Sequence, residues 1–288
     1  MKISFRNFLL DFSKKTYIMG ILNVTPDSFF DGGKYINFKK AVERGLQLAE
    51  EGADIIDIGG ESTRPGAEPL SVDEELKRVI PVIENLSKKI NIPISIDTYK
   101  AKVAEEAINA GATIINDISG LRFDPQMPYI ASKYDTPVVI MHIKGTPKNM
   151  QINPVYDALI PEIIEYLRNS IVIAKNAGVK ENNIIIDPGI GFGKKPEHNL
   201  LIIKNLKEFA NLGKPILIGV SRKSFIGKIL DNAPAEQRLE GTMAAVAVSV
   251  INGANIVRVH DVKEIVKVVK VVDAIKFGRI PTTSYQEL

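Results

Sequence analysis

A closed (β/α)8 barrel in a single domain is the fold class this 288-residue chain predicts, and three observations carry the prediction. Eight short runs rich in Ile and Val recur along it, helical patterns lie between nearly all of them, and no Pro/Gly/Ser-rich linker or composition shift divides it. The runs are "TYIMGILNV", "ADIIDIGG", "IPISIDT", "ATIINDIS", "PVVIMH", "NIIIDPG", "PILIGVS" and "NIVRVH". Each is almost continuously apolar, as a strand covered on both faces must be.

Amphipathic patterns span residues 38–51, 72–89, 101–110, 160–177, 199–211, 236–252 and 262–277. Only the link after "NDIS", the segment "RFDPQMPYIASKY", is short and weakly patterned. Glycine closes several patterns, in "EEGAD", "NAGAT", "NAGVK" and "NGANI", at the usual place for a left-handed C-cap. The last pattern is so rich in Val that propensity alone favours a strand. Lys263, Lys267 and Lys270 nevertheless fall at helical spacing opposite Val262, Ile265, Val266 and Val269, which predicts a helix. Residues 1–15 are expected to form an extension capping the barrel's bottom, 16–280 the barrel itself and 281–288 a tail.

Composition bounds the function. Hydrophobic residues at 45% and charged residues at 25% describe an ordinary soluble domain, long enough to bury a sizeable core. A net charge of +3 is too small for a nucleic-acid partner but permits a small anionic ligand. The absence of cysteine excludes a disulfide framework, a zinc–thiolate site and a cysteine nucleophile, and fits a reducing cytoplasm. The opening "MKISFRNFLLDFSKK" is interrupted by Arg6 and Asp11 and is no signal peptide. No stretch approaches the roughly 18 uninterrupted apolar residues of a membrane span. A cytoplasmic protein with small-molecule partners is the expectation.

Polar residues at the C-terminal ends of barrel strands lie on the face where such barrels carry chemistry. Strand by strand they are Asn23; Asp57 and Glu61; Asp97; Asn116 and Asp117; His142; Asp187; Ser221, Arg222 and Lys223; Arg258 and His260. One strand-end Asp can simply cap the next helix; eight polar strand ends together point to a site. Asp97 and Asp187 close apolar strands, where an unpaired carboxylate is costly. With Asn116 they offer a cradle for a ligand bearing several donors, such as an amidine-like ring edge. Arg258 and His260 alternate, so both project to one side just before a helix begins, an arrangement that suits an anion. The plain alternative is an ion pair from Arg258 to a neighbouring carboxylate. Of Arg222 and Lys223, one is expected to point inward. "GIGFGKK" lacks the spacing of either glycine-rich nucleotide loop and is expected to be a shaped barrel loop, with Phe192 lining a pocket. His198 opens a helix and is expected at the surface.

Taken together, "MGILNVTPDSFFDGG", "DIIDIGGESTRPGAEP", "ISIDTYKAKVAEEAINAGATIINDISG", "MHIKGTPKNMQ", "IIIDPGIGFGKKPEHN", "IGVSRKSFIG", "RLEGTMAA" and "VRVHDV" resemble the signature segments of the dihydropteroate synthase family, in that family's order from Met19 to Val262. The resemblance implies condensation of (7,8-dihydropterin-6-yl)methyl diphosphate with 4-aminobenzoate, giving 7,8-dihydropteroate and pyrophosphate. It implies that Asp97, Asn116, Met141, Asp187 and Lys223 hold the pterin. Thr63, Pro65, Phe192, Lys223 and Ser224 would border the aminobenzoate, and Asn23, Arg258 and His260 would meet the pyrophosphate. Asn23 would also bind Mg2+. Asp97, Lys223, Asp31 and Arg64 would be the catalytic set, the last two arriving as their loops close, with Phe29 excluding water. A homodimer is implied in the same way. Two rivals are weighed against this: a methyltetrahydrofolate:corrinoid methyltransferase-like barrel, which has no use for a pyrophosphate grip, and a non-catalytic binding barrel, which has no reason to keep Asn23, Lys223 and Arg258.

Overall fold

A computed structural model describes residues 1–25 and 33–280, with the backbone alone for 33–37. Phe29, Phe30 and Asp31 lie outside the described residues. The chain opens with an antiparallel hairpin, β1 (Lys2–Phe5) and β2 (Phe8–Asp11). Eight parallel strands follow: β3 (Tyr17–Asn23), β4 (Ile55–Gly59), β5 (Ile94–Asp97), β6 (Ile114–Asp117), β7 (Val138–Met141), β8 (Ile184–Asp187), β9 (Leu217–Ile218) and β10 (Ile256–Val259). Their order is β8-β7-β6-β5-β4-β3-β10-β9, and a parallel bridge between Ile186 and Ile216 joins the two ends into a barrel. The helices are α1 (Gly33–Glu50), α2 (Val72–Leu86), α3 (Ala101–Ala110), α4 (Met127–Lys133), α5 (Leu159–Asn176), α6 (Pro196–Lys204), α7 (Ser224–Ile229), α8 (Leu239–Ile251) and α9 (Val262–Phe277). Among the described residues, no helix is long and apolar enough to cross a membrane.

The strand alternation explains both the core and the site. One parity of each strand faces the helices: Ile56 and Ile58, Ile94 and Ile96, Val138 and Ile140, Ile184 and Ile186 are all buried in the strand–helix core. The other parity faces inward. Its lower layer is apolar: Met19, Ile55, Ile114, Val139, Ile185, Leu217 and Ile256 pack together, and Ile3, Phe5, Leu10 and Phe12 of the hairpin close over them. Two residues further along, the inward positions become Asp57, Asn116, Met141, Asp187 and Arg258, joined on β5 by Asp97, which follows buried Ser95 by two residues. A two-residue step is one pleat, so the polar layer sits directly above the apolar plug. The plug excludes water from below and leaves the polar layer reachable only from the strands' C-terminal ends.

Several boundaries differ from the sequence reading for local reasons. The pattern over 199–211 breaks at Asn205, whose side chain bonds back to the Leu201 carbonyl (2.9 Å); α6 ends there and a 3-10 turn, Leu206–Leu212, continues. The pattern over 236–252 begins regular helix only at Leu239, because Arg238 turns back to the carbonyls of Ala233 and Arg222 (both 2.8 Å). β9 keeps only two residues, between Pro215, which lacks an N–H, and Gly219. The weakly patterned link carries the two-turn α4, and α7 was not anticipated at all. The Val-rich final segment is a helix, with Val262, Ile265, Val269 and Val272 buried and Lys263, Lys267 and Lys270 exposed.

Candidate active site

A cavity of about 1140 Å3 opens at the C-terminal ends of the barrel strands. Its floor is the polar layer. Arg258 lies across it, donating from Nε to Asp57 Oδ2 (2.5 Å) and from Nη2 to Asp97 Oδ2 (2.7 Å). Asn116 donates to the same Asp57 oxygen (3.0 Å). The ion pair anticipated as the plain alternative for Arg258 is therefore present. It does not consume the guanidinium, which still lines the cavity and keeps Nη1 without a hydrogen bond to another described residue. Asp97 is also only half used: its Oδ1 is buried and has no hydrogen-bond partner among the described residues. Burial pushes the Asp97 carboxyl above the usual carboxylate range, even with the Arg258 guanidinium acting in the opposite sense.

Asp187 stands on the opposite side of the floor. Its Oδ1 accepts the Gly189 N–H (2.7 Å), and burial moves its pKa up to about 6. Lys223 faces it. Burial and the Arg258 charge bring its ammonium down to about 8, and its Nζ lies 4.4 Å from the centre of the Phe192 ring. Lys223 is thus the inward cation. Arg222, with its backbone left-handed at φ 56°, holds Asp261 through Nε (2.9 Å) and Nη2 (2.5 Å). The aromatic Phe192 packs with Ile118, Met141, Ile143 and Met150 into one apolar wall, which sequence reasoning did not assemble beyond Met141 and Phe192.

The glycine-rich segment is a shaped loop, as its spacing predicts. Gly189, Gly191 and Gly193 all have positive φ, and a Cβ on Gly189 would lie 1.9 Å from the His142 carbonyl oxygen. Neither backbone can yield without opening the β7–β8 strand ends. Gly189→Ala is therefore expected to cost roughly 2–4 kcal/mol of stability, read as a lowered urea midpoint; an unchanged midpoint would show that this close approach is not maintained in solution. The loop also carries Lys194, which sequence reasoning missed. Its ammonium is buried, donates to His142 Nδ1 (2.8 Å) and to the Phe192 carbonyl (3.0 Å), and burial holds its pKa well below the ordinary range. No local signal marks it, because a lysine after Gly-Phe-Gly has the composition of a surface loop.

On the other rim, Glu61 staples the β4–α2 loop. Its carboxylate accepts the Leu70 N–H (2.8 Å) at the far end of that loop, the Tyr99 hydroxyl (2.5 Å) and the Lys100 ammonium, which also meets buried Glu75 (2.5 Å). The stapled loop presents Thr63, half-buried, and Arg64 and Pro65, exposed, at the cavity mouth; Ser224, exposed, lies there at the start of α7. Asp117, by contrast, leaves the site. It points away from the barrel axis, where it accepts the Ser119 and Leu121 N–H groups (2.7 and 3.0 Å). His142 is buried behind the wall, and His198 sits at the start of α6 with its ring edge-on to Tyr156.

Asn23 and His260 complete the opposite side of the cavity. Asn23 ends β3, is half-buried, and its amide makes no hydrogen bond to another described residue. Among the described residues, no cluster of three His, Asp or Glu forms a metal cage. One side-chain oxygen facing an anion pocket still suits Mg2+, which prefers a few protein oxygens completed by water and phosphate. His260 bonds through Nδ1 to Ser221 Oγ (3.0 Å), and burial with the Arg258 and Arg222 charges moves its pKa down to about 3.

Pattern and geometry converge with relatives. A family model described as "Pterin binding enzyme" matches residues 19–260. The dihydropteroate synthase of Bacillus subtilis (strain 168) is 52% identical over 265 residues, which cover 92% of this chain and 90% of that protein. The chain belongs to the dihydropteroate synthases of the pterin-binding enzyme family. It is a transferase of folate biosynthesis. Solved dihydropteroate synthases superpose on it closely. One from Clostridium difficile, determined in the presence of pteroic acid, is 49% identical with a TM-score of 0.87, covering 92% of this chain and 98% of that one. One from Yersinia pestis, in a sulfonamide drug complex, is 43% identical with a TM-score of 0.90, covering 97% and 100%. The closed sheet is thus the barrel of the dihydropteroate synthases.

Proposed function

We propose that the polar floor holds the dihydropterin, that the Asn23–His260 side of the cavity holds its diphosphate, and that 4-aminobenzoate enters between the Thr63–Pro65 loop, Phe192, Lys223 and Ser224. The observation that carries this reading is the buried, unpartnered Oδ1 of Asp97 beside Asn116 and opposite Asp187. A pterin edge rich in N–H donors satisfies such acceptors, which otherwise cost free energy in the fold. Met141 offers the flat ring an apolar surface, and Lys223 closes it from the other side.

The aromatic amine attacks the methylene carbon through its nitrogen lone pair. The carbon–oxygen bond breaks, the electron pair leaves with pyrophosphate, and the nitrogen then releases a proton to water. Expelling pyrophosphate needs charge neutralisation more than proton transfer. Arg258 Nη1, the His260 ring and the start of α9 supply donors on that side. Asp97 and Asp187 stabilise positive charge that develops on the pterin as the bond breaks. The amine is already a neutral nucleophile, so no Ser/His/Asp relay is required. Mg2+, when bound at Asn23, supplies further neutralisation of the diphosphate. Arg64 at the mouth and Asp31 beyond the described residues would complete the set.

The test is direct. Purified protein with Mg2+, dihydropterin diphosphate and 4-aminobenzoate should release dihydropteroate and pyrophosphate in equal amounts, with sulfonamides competing against aminobenzoate. Folded protein without product would overturn the reading. Asn23→Ala should raise the Mg2+ concentration needed for half-maximal rate about tenfold, the effect of losing one charge-assisted contact; an unchanged Mg2+ dependence would remove Asn23 from the metal. A homodimer is supported by exposed Val248 and Ile251 on α8 and Val271 and Ile275 on α9, two helices that pack together. Sedimentation should give twice the 31.7 kDa chain mass. A chain without cysteine supports a cytoplasmic setting.

A further inference from the structure

Ser221 is buried and stands between two parts of His260. Its Oγ accepts the backbone N–H of His260 (3.2 Å) and lies 3.0 Å from Nδ1 of the same ring. A hydroxyl has one proton to give. If Nδ1 carried a proton and donated to Oγ, the hydroxyl's own proton would be left without an acceptor in a buried position. If the hydroxyl donates to Nδ1, both the hydroxyl and Nδ1 are satisfied, and the ring's proton resides on Nε2, free to donate into the cavity. The main chain is held in the same place from the other side, where Arg44 Nη2 donates to the His260 carbonyl (3.2 Å). The groups that face the ring point the same way. Arg258 comes from β10, Arg222 and Lys223 from the β9–α7 turn, and Asp261 is already engaged by Arg222. An imidazolium among three cations is disfavoured, and burial disfavours it further.

We infer that Ser221 is a positioning residue which fixes His260 as the neutral Nε2–H tautomer, so that the ring meets the diphosphate as an uncharged hydrogen-bond donor. The inference rests on the reading that places the diphosphate beside His260. It has a consequence for the step that ends turnover. A neutral donor adds one hydrogen bond to the leaving group without adding a fourth full charge, which would retain pyrophosphate in the cavity.

The tautomer can be observed without turnover. The chain has three histidines, so nitrogen-15 labelling of histidine alone gives three resolvable rings, with His142 and His198 assigned from His142→Gln and His198→Gln. His260 should show a bare Nδ1 and a protonated Nε2, unchanged from pH 6 to pH 8. A protonated Nδ1, or a doubly protonated ring in that range, would overturn the inference whatever the enzyme's activity. Ser221→Ala should release the lock, giving a mixture of tautomers and about a tenfold weaker calorimetric affinity for pyrophosphate with Mg2+, the scale of one hydrogen bond. Ser221→Thr, which keeps the hydroxyl, should restore both. A single Nε2–H tautomer with unchanged pyrophosphate affinity in Ser221→Ala would also overturn it, as would a Thr variant that behaves like Ala. Failure of the synthase assay alongside an intact tautomer would instead count against the assigned reaction.

Discussion

Arg258→Met should lower the stability of the fold by about 3–5 kcal/mol, the scale expected when one partner of a buried ion pair is removed. Two carboxylates depend on that guanidinium. Asp57 is fully buried and Asp97 nearly so, and each already has an oxygen with no partner. Without Arg258 the two carboxylates stand on the adjacent strands β4 and β5, with the Asn116 amide bonded to Asp57 alone and water excluded from below. The loss should depend on pH, and its sign follows from burial. The Asp97 carboxyl already stands above its ordinary range in the presence of Arg258, and removing the cation raises it further. A raised folded-state pKa favours the fold while the group is protonated and loses that contribution as pH rises through it. The deficit of the variant should therefore be largest near pH 8 and shrink toward pH 5. Urea midpoints of both proteins at the two pH values measure this; equal deficits, or none, would mean that Arg258 does not favour the ionised form of Asp97.

Asp97→Asn should leave the fold nearly intact while reducing kcat/KM about 10²–10³-fold, the range for deleting one preorganised polar contact in an active site. The amide matches the carboxylate in shape, and Arg258 retains Asp57 as its ion-pair partner. What disappears is the charge and the free acceptor at Oδ1. An amide at that position offers either a single acceptor or a donor directed at donors. The reaction suffers twice, in holding the pterin edge and in stabilising positive charge as pyrophosphate departs. Thermal denaturation alongside steady-state kinetics separates the effects. A large loss of stability with proportionate activity would make Asp97 structural, and unchanged kinetics would free it from the site. The two variants separate the support that the ion pair gives the floor, lost in Arg258→Met, from the part Asp97 itself plays in the reaction, lost in Asp97→Asn with the fold kept.

How much of this was legible beforehand follows from the range of each interaction. The strands and most helices were readable because their signals are local: Ile and Val runs, 3.6-residue spacing and terminal glycines all lie within a few residues of what they determine. α9 is the sharpest instance, since lysine spacing outweighed valine propensity there. Breaks at Asn205 and Arg238 were not readable, because each is made by a side chain turning back to a backbone carbonyl. Within the site, strand-end position and alternation were enough to bring Asn23, Asp97, Asn116, Asp187, Lys223, Arg258 and His260 to one cavity. They were not enough to separate Asp117, one residue from Asn116, which holds a turn instead.

The sequence by itself determined the barrel, the face that carries the site, the residue types gathered there and the family, because periodicity and strand order map one dimension onto a closed sheet with little freedom. Only the tertiary structure decided the partners. Arg258 meets Asp57 across 201 positions, Glu61 reaches Lys100 across 39, and Lys194 finds His142 across 52. Such pairings arise when barrel closure brings distant strand ends within hydrogen-bond reach and removes water between them. Their geometry depends on angles and burial that no single stretch of chain encodes.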